Sequence, residues 1–535
     1  MHIVRGAVHR NSYRDSVELM GIAAQLEQLT GIQRAGLVMA TPANLAVLAE
    51  AGLAEAAAGG PGPNDLVVAV AAIDDPAADH ALTTAATLLA AGTGDADGPR
   101  EVRTAQTIGE GLAELPDANL ALVSTPGTYA TAEALRAIKR GLNVFLFSDN
   151  VPIEDEIHLK ELAERKGLLV MGPDCGTAIV GGVPLGFANA VRRGPIGLVG
   201  ASGTGLQQVT SLIHRFGSGV SQAFGTGGRD LDERVGGTTM LAATRRLLTD
   251  PETKVIVLIS KPPSAVVAAR ILDAIRSSPK PIVVNFLGGD ARAVEAVGAH
   301  PAPTFESAAR LAVALARGER DVEPATDLTA GLRDRAMDAV AMAAAGRLAP
   351  EQREIRGLYS GGSLAGEAKV VLKALLGSKR QDRILDLGDD EYTVGRPHPM
   401  IDPRLRNEHI VATANEPAVA VLLLDVVLGH GSHPDPAEAL APAIADAMAV
   451  ATSAGRQLLV VASVCGTDLD PQGLERQERI LAQTGVMLEP SNARAAMLAA
   501  LIAAVAGGDA AAAGGAAGIA GGASGTPAPL VGAAD

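Results

Sequence analysis

The sequence predicts an α/β protein: several parallel-sheet units of the Rossmann or flavodoxin type, joined to a small N-terminal α/β module. Two observations carry this. Short continuous apolar runs recur along the chain: Leu66–Ala72, Ala118–Ser124, Val144–Ser148, Leu168–Gly172, Ile196–Gly200, Val255–Ser260, Pro281–Phe286, Ala418–Leu428 and Leu458–Ser463. Runs of about four to eight apolar residues are the pattern of strands buried on both faces of a parallel sheet. Ala/Leu-rich helical stretches separate these runs, which predicts stacked βαβ units.

Taken in order, residues 1–100 read as strand (2–9), helix (15–29), strand (33–40), helix (42–52), strand (65–72) and helix (77–91). Residues 101–192 form a second open-sheet unit and residues 193–317 a third. Residues 318–354 are charged and helical and read as a connector; residues 355–505 form a fourth unit. Residues 506–535 are Ala/Gly with a little Pro and no periodicity, the composition of a disordered tail. At roughly 100–200 residues per domain, 535 residues suit this division into about three to four domains.

Composition excludes several functions. The net charge of −15 disfavours phosphate backbones and anionic membranes, so neither nucleic acid nor membrane is an expected partner. Seven Phe, four Tyr and no Trp argue against stacking platforms for single strands. The only cysteines, Cys175 and Cys465, exclude a disulfide scaffold and any four-cysteine metal site. The longest apolar runs, 419–428 and 495–505, are shorter than the roughly 20 residues that span a bilayer. The opening MHIVRGAVHR lacks the apolar stretch of a signal peptide, so a soluble cytoplasmic protein is expected.

The third and fourth units read as copies of each other. Each opens with a strand and a Gly/Ser-rich turn, GLVGASGTGLQQ at 197–208 and GLYSGGSLAGEA at 357–368. Each continues with a glycine–aspartate loop, GTGGRDLDERVGG at 225–237 and LGDDEYTVGRP at 387–397, and then with apolar strands.

In open α/β sheets, ligands bind beyond the carboxyl ends of strands. Ser202-Gly203-Thr204-Gly205 and Ser360-Gly361-Gly362-Ser363 stand at such ends, before helices. Glycines admit a close backbone approach, and helix N–H groups with the dipole favour an anion such as phosphate or a carboxylate. Each turn also suits an ordinary helix cap. Neither matches GxxxxGK[ST], which disfavours a nucleoside triphosphate.

Three further stretches are candidates. Gly429-His430-Gly431-Ser432-His433-Pro434-Asp435 follows the longest apolar strand; His430 or His433 suits an acid, a base or an anion donor. The histidine pair could also ligate a metal, but no further ligand is identifiable, and no metal is expected. In Gly172-Pro173-Asp174-Cys175, a fixed turn carries a cysteine that is either a nucleophile or, as lone cysteines more often are, a packed small residue. Near the N-terminus, Arg5, Arg10 and Arg14 stand out in an acidic chain and suit either an anion or a subunit contact.

Residues 117–315 resemble the α subunit of succinyl-CoA synthetase. Gly172-Pro173-Asp174-Cys175 is similar to that family's Gly-Pro-Asn-Cys, and GLVGASGTGLQQ to its strand–Ser-Gly-Thr–helix loop. Gly225–Gly237 with Asp250-Pro251-Glu252-Thr253 is similar to its Gly-Gly-Asp loop and Asp-Pro-Gln-Thr turn. Residues 356–502 resemble the carboxyl-terminal domain of the β subunit, with Gly429–Ser432 on its Gly-rich substrate loop. On this likeness 101–192 is a CoA-binding-like Rossmann unit, and 193–317 and 355–505 are flavodoxin-like domains.

The departures carry as much weight. No ATP-binding domain has a counterpart here. The phosphohistidine segment is missing between Gly288-Gly289 and His300-Pro301, and Lys261 stands near the position of the family's acidic partner of phosphohistidine. The Gly-rich coenzyme A loop is replaced by the N-terminal module. This combination resembles the FdrA family of acyl-CoA synthetase-like proteins, also through HIVRGAVHRNSYRDSV at 2–17.

The resemblance implies a role in allantoin-type purine nitrogen catabolism. It implies an enzyme subunit that, with companion proteins, splits oxalurate with phosphate into oxamate and carbamoyl phosphate. On that reading phosphate is a co-substrate held by two facing helix N-termini and Lys261, and the loop at Gly429–His433 holds the oxamate end. A coenzyme A-dependent ligase and a non-catalytic subunit that binds an acyl phosphate or coenzyme A thioester are the alternatives.

Overall fold

The structure is a computed structural model that describes residues 3–12, 14, 16–91, 105–319, 328, 329, 331–377, 380, 382–393 and 397–508. The expected tail from 509 onward and residues 320–327 of the expected connector lie outside the described residues. The chain is mixed α/β with four sheets. No helix among the described residues is long and apolar enough to cross a membrane.

The N-terminal sheet differs from the parallel pattern of the other units. Leu66–Ala72 lies between Ile3–His9 and Ile32–Met39 and runs antiparallel to both. The two outer strands are joined through the helix Ser16–Glu27, which leaves a one-strand gap between them. The helix Pro42–Glu50 and the turn Ala54–Ala57 return the chain to the end where the second strand stopped, Met39 opposite Leu66, so the third strand fills the gap in reverse. All of its residues are buried, and successive ones alternate between two cores as a pleated strand requires. Leu66, Val68 and Val70 pack with Leu19 and Leu26; Val67 and Ala69 pack with Leu48 and Leu53.

Leu120–Val123, Asn143–Leu146 and Val170–Met171 form a parallel three-stranded sheet. The next sheet has seven strands. Five are parallel, in the order His300–Pro301, Ile282–Phe286, Val255–Ser260, Arg193–Ala201, Val220–Gly225. The hairpin Thr177–Val180 and Val183–Gly186 completes it, with Ile179 opposite Ala223. The sequence reading ended the second unit at 192; this hairpin instead crosses to the third, where it covers an edge whose backbone groups would otherwise stand unpaired.

The last sheet is parallel throughout: Arg383–Asp386, Glu354–Tyr359, Val419–Val427, Leu459–Cys465, Met487–Glu489. Counted from the first strand of each unit, both parallel sheets have the flavodoxin order 2-1-3-4-5. Identical strand order is what an internal duplication requires. It also fixes where each unit can bind a ligand, at the switch point beyond the first and third strands. In one unit these strands end at Ala201 and Ser260; in the other they end at Tyr359 and Val427.

The two units share one apolar core. Leu206, Val209 and Ile213 of the helix Gly203–Arg215 belong to the same cluster as Leu364, Ala368 and Val371 of the helix Gly362–Leu376. Helix Asn492–Ala506 is buried nearly all round within that cluster. A buried carboxyl stitches this junction: Glu367 accepts the Phe305 N–H at 2.6 Å and the Asn492 side-chain amide at 2.8 Å. Burial pushes it up to about 7, against these two donors. A raised carboxyl favours the folded state fully below its ordinary value of 4.5, and that contribution is lost as pH rises through 7. The loss over this window is about 3 kcal/mol. Urea denaturation at pH 5 and pH 8 therefore shows Glu367→Gln gaining on the parent chain at the higher pH; equal differences at both would contradict the assignment.

Candidate functional site

Both switch points open onto one cavity of about 880 Å³. Its floor is where the two Gly-rich turns meet. The Ser202 hydroxyl donates to the Ser363 hydroxyl at 2.6 Å across the junction. Glycine is required there: a Cβ on Gly361 would come within 2.9 Å of Thr204, and one on Gly205 within 2.1 Å of the Ser202 hydroxyl. Ser202, Gly203, Thr204, Ser360, Gly362 and Ser363 line the cavity, with Gly205 and Gly361 behind them.

The turns match in backbone and differ in charge. At the second turn, the buried Asp425 carboxylate accepts the N–H groups of Ser360 at 2.9 Å and Gly361 at 2.8 Å. Arg406 holds that carboxylate at 2.8 Å and also donates to Leu358 O. Asp386 lies so close to Gly362 that a Cβ there would meet its carboxylate at 2.2 Å. Internal carboxylates therefore crowd the second turn, against the expectation that both helix N-termini hold the phosphate.

At the first turn the strand register puts Ser260 beside Ala201, and Lys261 follows. Among the described residues no carboxylate is bonded there. Thr204 Oγ1 is buried with no partner among the described residues. Lys261 is exposed and lines the cavity. Burial raises the Asp386 carboxyl, against the Gly388 N–H and the charge of Lys261. One helix N-terminus and a cation thus converge.

Asp174 and Cys175 line the opposite wall. The Asp174 N–H donates to Ser148 O at 2.9 Å. Cys175 is buried and its Sγ donates to Thr177 O at 3.6 Å; burial pushes the thiol up to about 12. A thiol that keeps its proton is no nucleophile at neutral pH, so Cys175 is a packed wall residue. Behind this wall, buried Lys160 bonds Glu156 at 2.8 Å, Asp230 at 2.7 Å and Thr226 O at 3.1 Å, which fixes the loop carrying Gly227 and Gly228.

The loop after Val427 does not reach the cavity. Gly429, Gly431, Ser432, His430 and His433 are absent from the cavity wall. The segment Gly186–Ala188 stands between, with Phe187 on the cavity side and Gly431 against it. His430 is exposed and its N–H donates to Ala188 O at 3.0 Å. The His433 N–H donates to Met400 O at 2.7 Å, and its Nδ1 accepts the Asp435 N–H at 3.0 Å. These histidines secure a junction and are not placed to act on a ligand in the cavity.

The N-terminal module closes the far side. Arg14 lines the cavity beside Thr41 and Asn44, donates to Leu89 O at 2.9 Å and faces Glu18 at 3.6 Å. Arg10 pairs with Asp65 at 2.6 Å and is not in the wall, so it is structural. Arg404 grips both oxygens of Glu27 at 2.9 Å and ties the module to the last unit.

Asp386 and His398 are among the wall residues that the sequence reading missed. Asp386 ends a strand, the position the switch-point argument points to. His398 sits between two prolines in an irregular segment that no periodicity marks. The Met400 N–H donates to its Nδ1 at 3.2 Å, Phe187 stacks at 5.7 Å between ring centroids, and burial pushes it down to about 4.

Residues 358–502 match the CoA-ligase family, residues 191–288 the CoA binding domain, and residues 1–105 the "AllF, heavy metal-associated domain". The CoA-binding match falls on the seven-stranded unit rather than on 101–192. YahF of Escherichia coli, an uncharacterized protein, is 41% identical over 514 residues, which cover 93% of this chain and 98% of that protein. The chain belongs to the FdrA-like family of acyl-CoA synthetase-like proteins.

A second relative is the ADP-forming succinate–CoA ligase subunit alpha 2 of Archaeoglobus fulgidus. It is 28% identical over 27% of this FdrA-like chain and 50% of that subunit. ATP citrate lyase from Methanothrix soehngenii, solved with citrate and coenzyme A, is 17% identical at a TM-score of 0.34, over 44% of this chain and 45% of that one. Residues 1–105 hold no cysteine, and no group of three or more His, Cys, Asp or Glu among the described residues could hold a metal ion. Soft heavy metals select thiolates, so this module's residues do not fit one.

Two outcomes follow from these environments. Ellman's reagent at pH 8 finds no fast-reacting thiol in the native chain and both cysteines in denaturant; a fast native thiol would contradict the placement of Cys175. Replacing Arg406 with Met leaves the buried Asp425 charge unpaired and destabilises the chain by about 3–5 kcal/mol, measured by urea unfolding. An unchanged midpoint would contradict the pairing.

Proposed function

We propose that this FdrA-like chain is the carbamoyl-transfer subunit of an oxamate carbamoyltransferase, working in the cytoplasm with companion subunits. One observation supports the reading: Asp425 accepts two backbone N–H groups of the turn at 360–361, while among the described residues no carboxylate bonds the turn at 202–204 beside Lys261. A ligase that passes phosphate from a nucleotide to a histidine needs a nucleotide domain and that histidine. Neither is recognisable in the sequence, which favours free phosphate as the co-substrate.

In the proposed step, a phosphate oxygen forms a bond to the carbamoyl carbon of oxalurate, and the bond from that carbon to the oxamate nitrogen breaks. The electron pair goes to the nitrogen, which takes the proton carried by the phosphate. The products are carbamoyl phosphate and oxamate. The helix N–H groups at Gly203 and Thr204 and the Lys261 ammonium hold the phosphate. Arg14 and Asn44, across the cavity, face the oxamate carboxylate.

The CoA binding domain and CoA-ligase matches favour a second reading, in which coenzyme A enters the same cavity. Calorimetric titration with carbamoyl phosphate and with coenzyme A separates the two. Carbamoyl phosphate binds under the proposal, and Lys261→Ala weakens it by about tenfold or more, as loss of a charge-assisted contact does. Tight coenzyme A binding without carbamoyl phosphate binding would overturn it.

A further inference from the structure

Carbamoyl transfer builds negative charge on the carbamoyl oxygen as the phosphate attacks. A donor must stand at that oxygen, and three donors of the floor are committed. The Ser202 hydroxyl donates to Ser363, and the N–H groups of Ser360 and Gly361 donate to Asp425. Lys261 belongs to the phosphate side.

His398 offers a side-chain N–H in the wall that no described residue accepts. It lines the cavity, and its Nδ1 accepts the Met400 N–H, so in the neutral ring the proton is on Nε2. The ring is held in place: Phe187 stacks on it, and a Cβ on Gly388 would come within 2.6 Å of Nε2. No described residue accepts a hydrogen bond from Nε2, yet that atom is not among the buried polar atoms left without a partner, so it opens to the cavity. We propose that His398 is a catalytic residue that donates Nε2–H to the carbamoyl oxygen and takes no proton during the reaction. This rests on the carbamoyl-transfer reading.

The assignment excludes acid–base work by geometry. Nδ1 is occupied by an amide, and Nε2 already carries its proton, so the neutral ring has no free lone pair. The charged groups on the same stretch of wall are Asp386, Asp389 and Lys261. Burial, which pushes the ring down to about 4, keeps the donor present from pH 5 upward. A neutral imidazole donor polarises a carbonyl without adding a charge that would compete with Lys261 for the phosphate.

The test combines nitrogen NMR of the ¹⁵N-histidine-labelled full chain with kinetics of the complete enzyme. The expected spectrum keeps His398 as the neutral Nε2–H form from pH 5 to 8, and its Nε2 resonance moves when carbamoyl phosphate binds. His398→Phe lowers kcat by about 100-fold or more, as loss of one such donor does, with little change in the KM for phosphate. His398→Gln, which keeps a side-chain N–H, recovers part of the loss. A wild-type chain that binds carbamoyl phosphate with an unmoved Nε2 resonance, or a His398→Phe enzyme with full turnover, would overturn the role and leave the function standing. Failure of the wild type to bind carbamoyl phosphate would remove both.

Discussion

The apolar packing between the first helices of the two flavodoxin-like units is what the rest of the molecule depends on. Leu206, Val209 and Ile213 from one helix and Leu364, Ala368 and Val371 from the other lie in one continuous core. Burial of this kind is non-directional, but close packing is not. It brings the two turns together until a Cβ at 361 would meet Thr204, and Ser202 reaches Ser363. Two sites that would each be a shallow sheet-end crevice become the floor of one shared cavity.

The duplication then diverges in charge rather than in backbone. The strand order and the Gly/Ser turns are kept, so both units present a helix N-terminus to the cavity. One unit fills its own anion position with Asp425, held by Arg406. The other has Ser260 and Lys261 at the matching strand end, and a buried threonine hydroxyl without a partner. A helix N-terminus already facing a carboxylate repels a second anion, so a pseudo-symmetric scaffold yields a polarised cavity. The wall opposite is rigid for a related reason. Lys160 between Glu156 and Asp230 fixes its loop, and removing Lys160 would leave the buried Asp230 carboxylate without its cation.

Much of the sheet architecture was legible because buried parallel strands write themselves as apolar runs, and the two copies could be aligned by their Gly/Ser turns. The place of the turn at 202–204 beyond a strand end, on the cavity floor, followed from the same logic. What escaped was tertiary. Nothing local in 66–72 distinguishes a strand that fills a gap in reverse from one that extends a parallel sheet. The loop at 429–433 follows a strand end and carries two histidines, but the inserted segment 186–188, more than two hundred residues earlier in sequence, screens it from the cavity. Asp425 reads as one polar residue in an apolar strand, and its contact with the second turn depends on a register that only the folded sheet reveals. His398 lies in a proline-flanked stretch without periodicity, so its place in the wall depends wholly on the fold.

The central claim is that the two turns meet and close one cavity. The most direct measurement is cross-linking of a Ser202→Cys/Ser363→Cys double variant under mild oxidation, with thiols counted afterwards in denaturant. The account predicts a disulfide in the folded chain, so that only the two native cysteines remain titratable. A folded double variant whose added thiols both stay free under the same oxidation would show that the turns do not face each other, and the shared cavity would be contradicted.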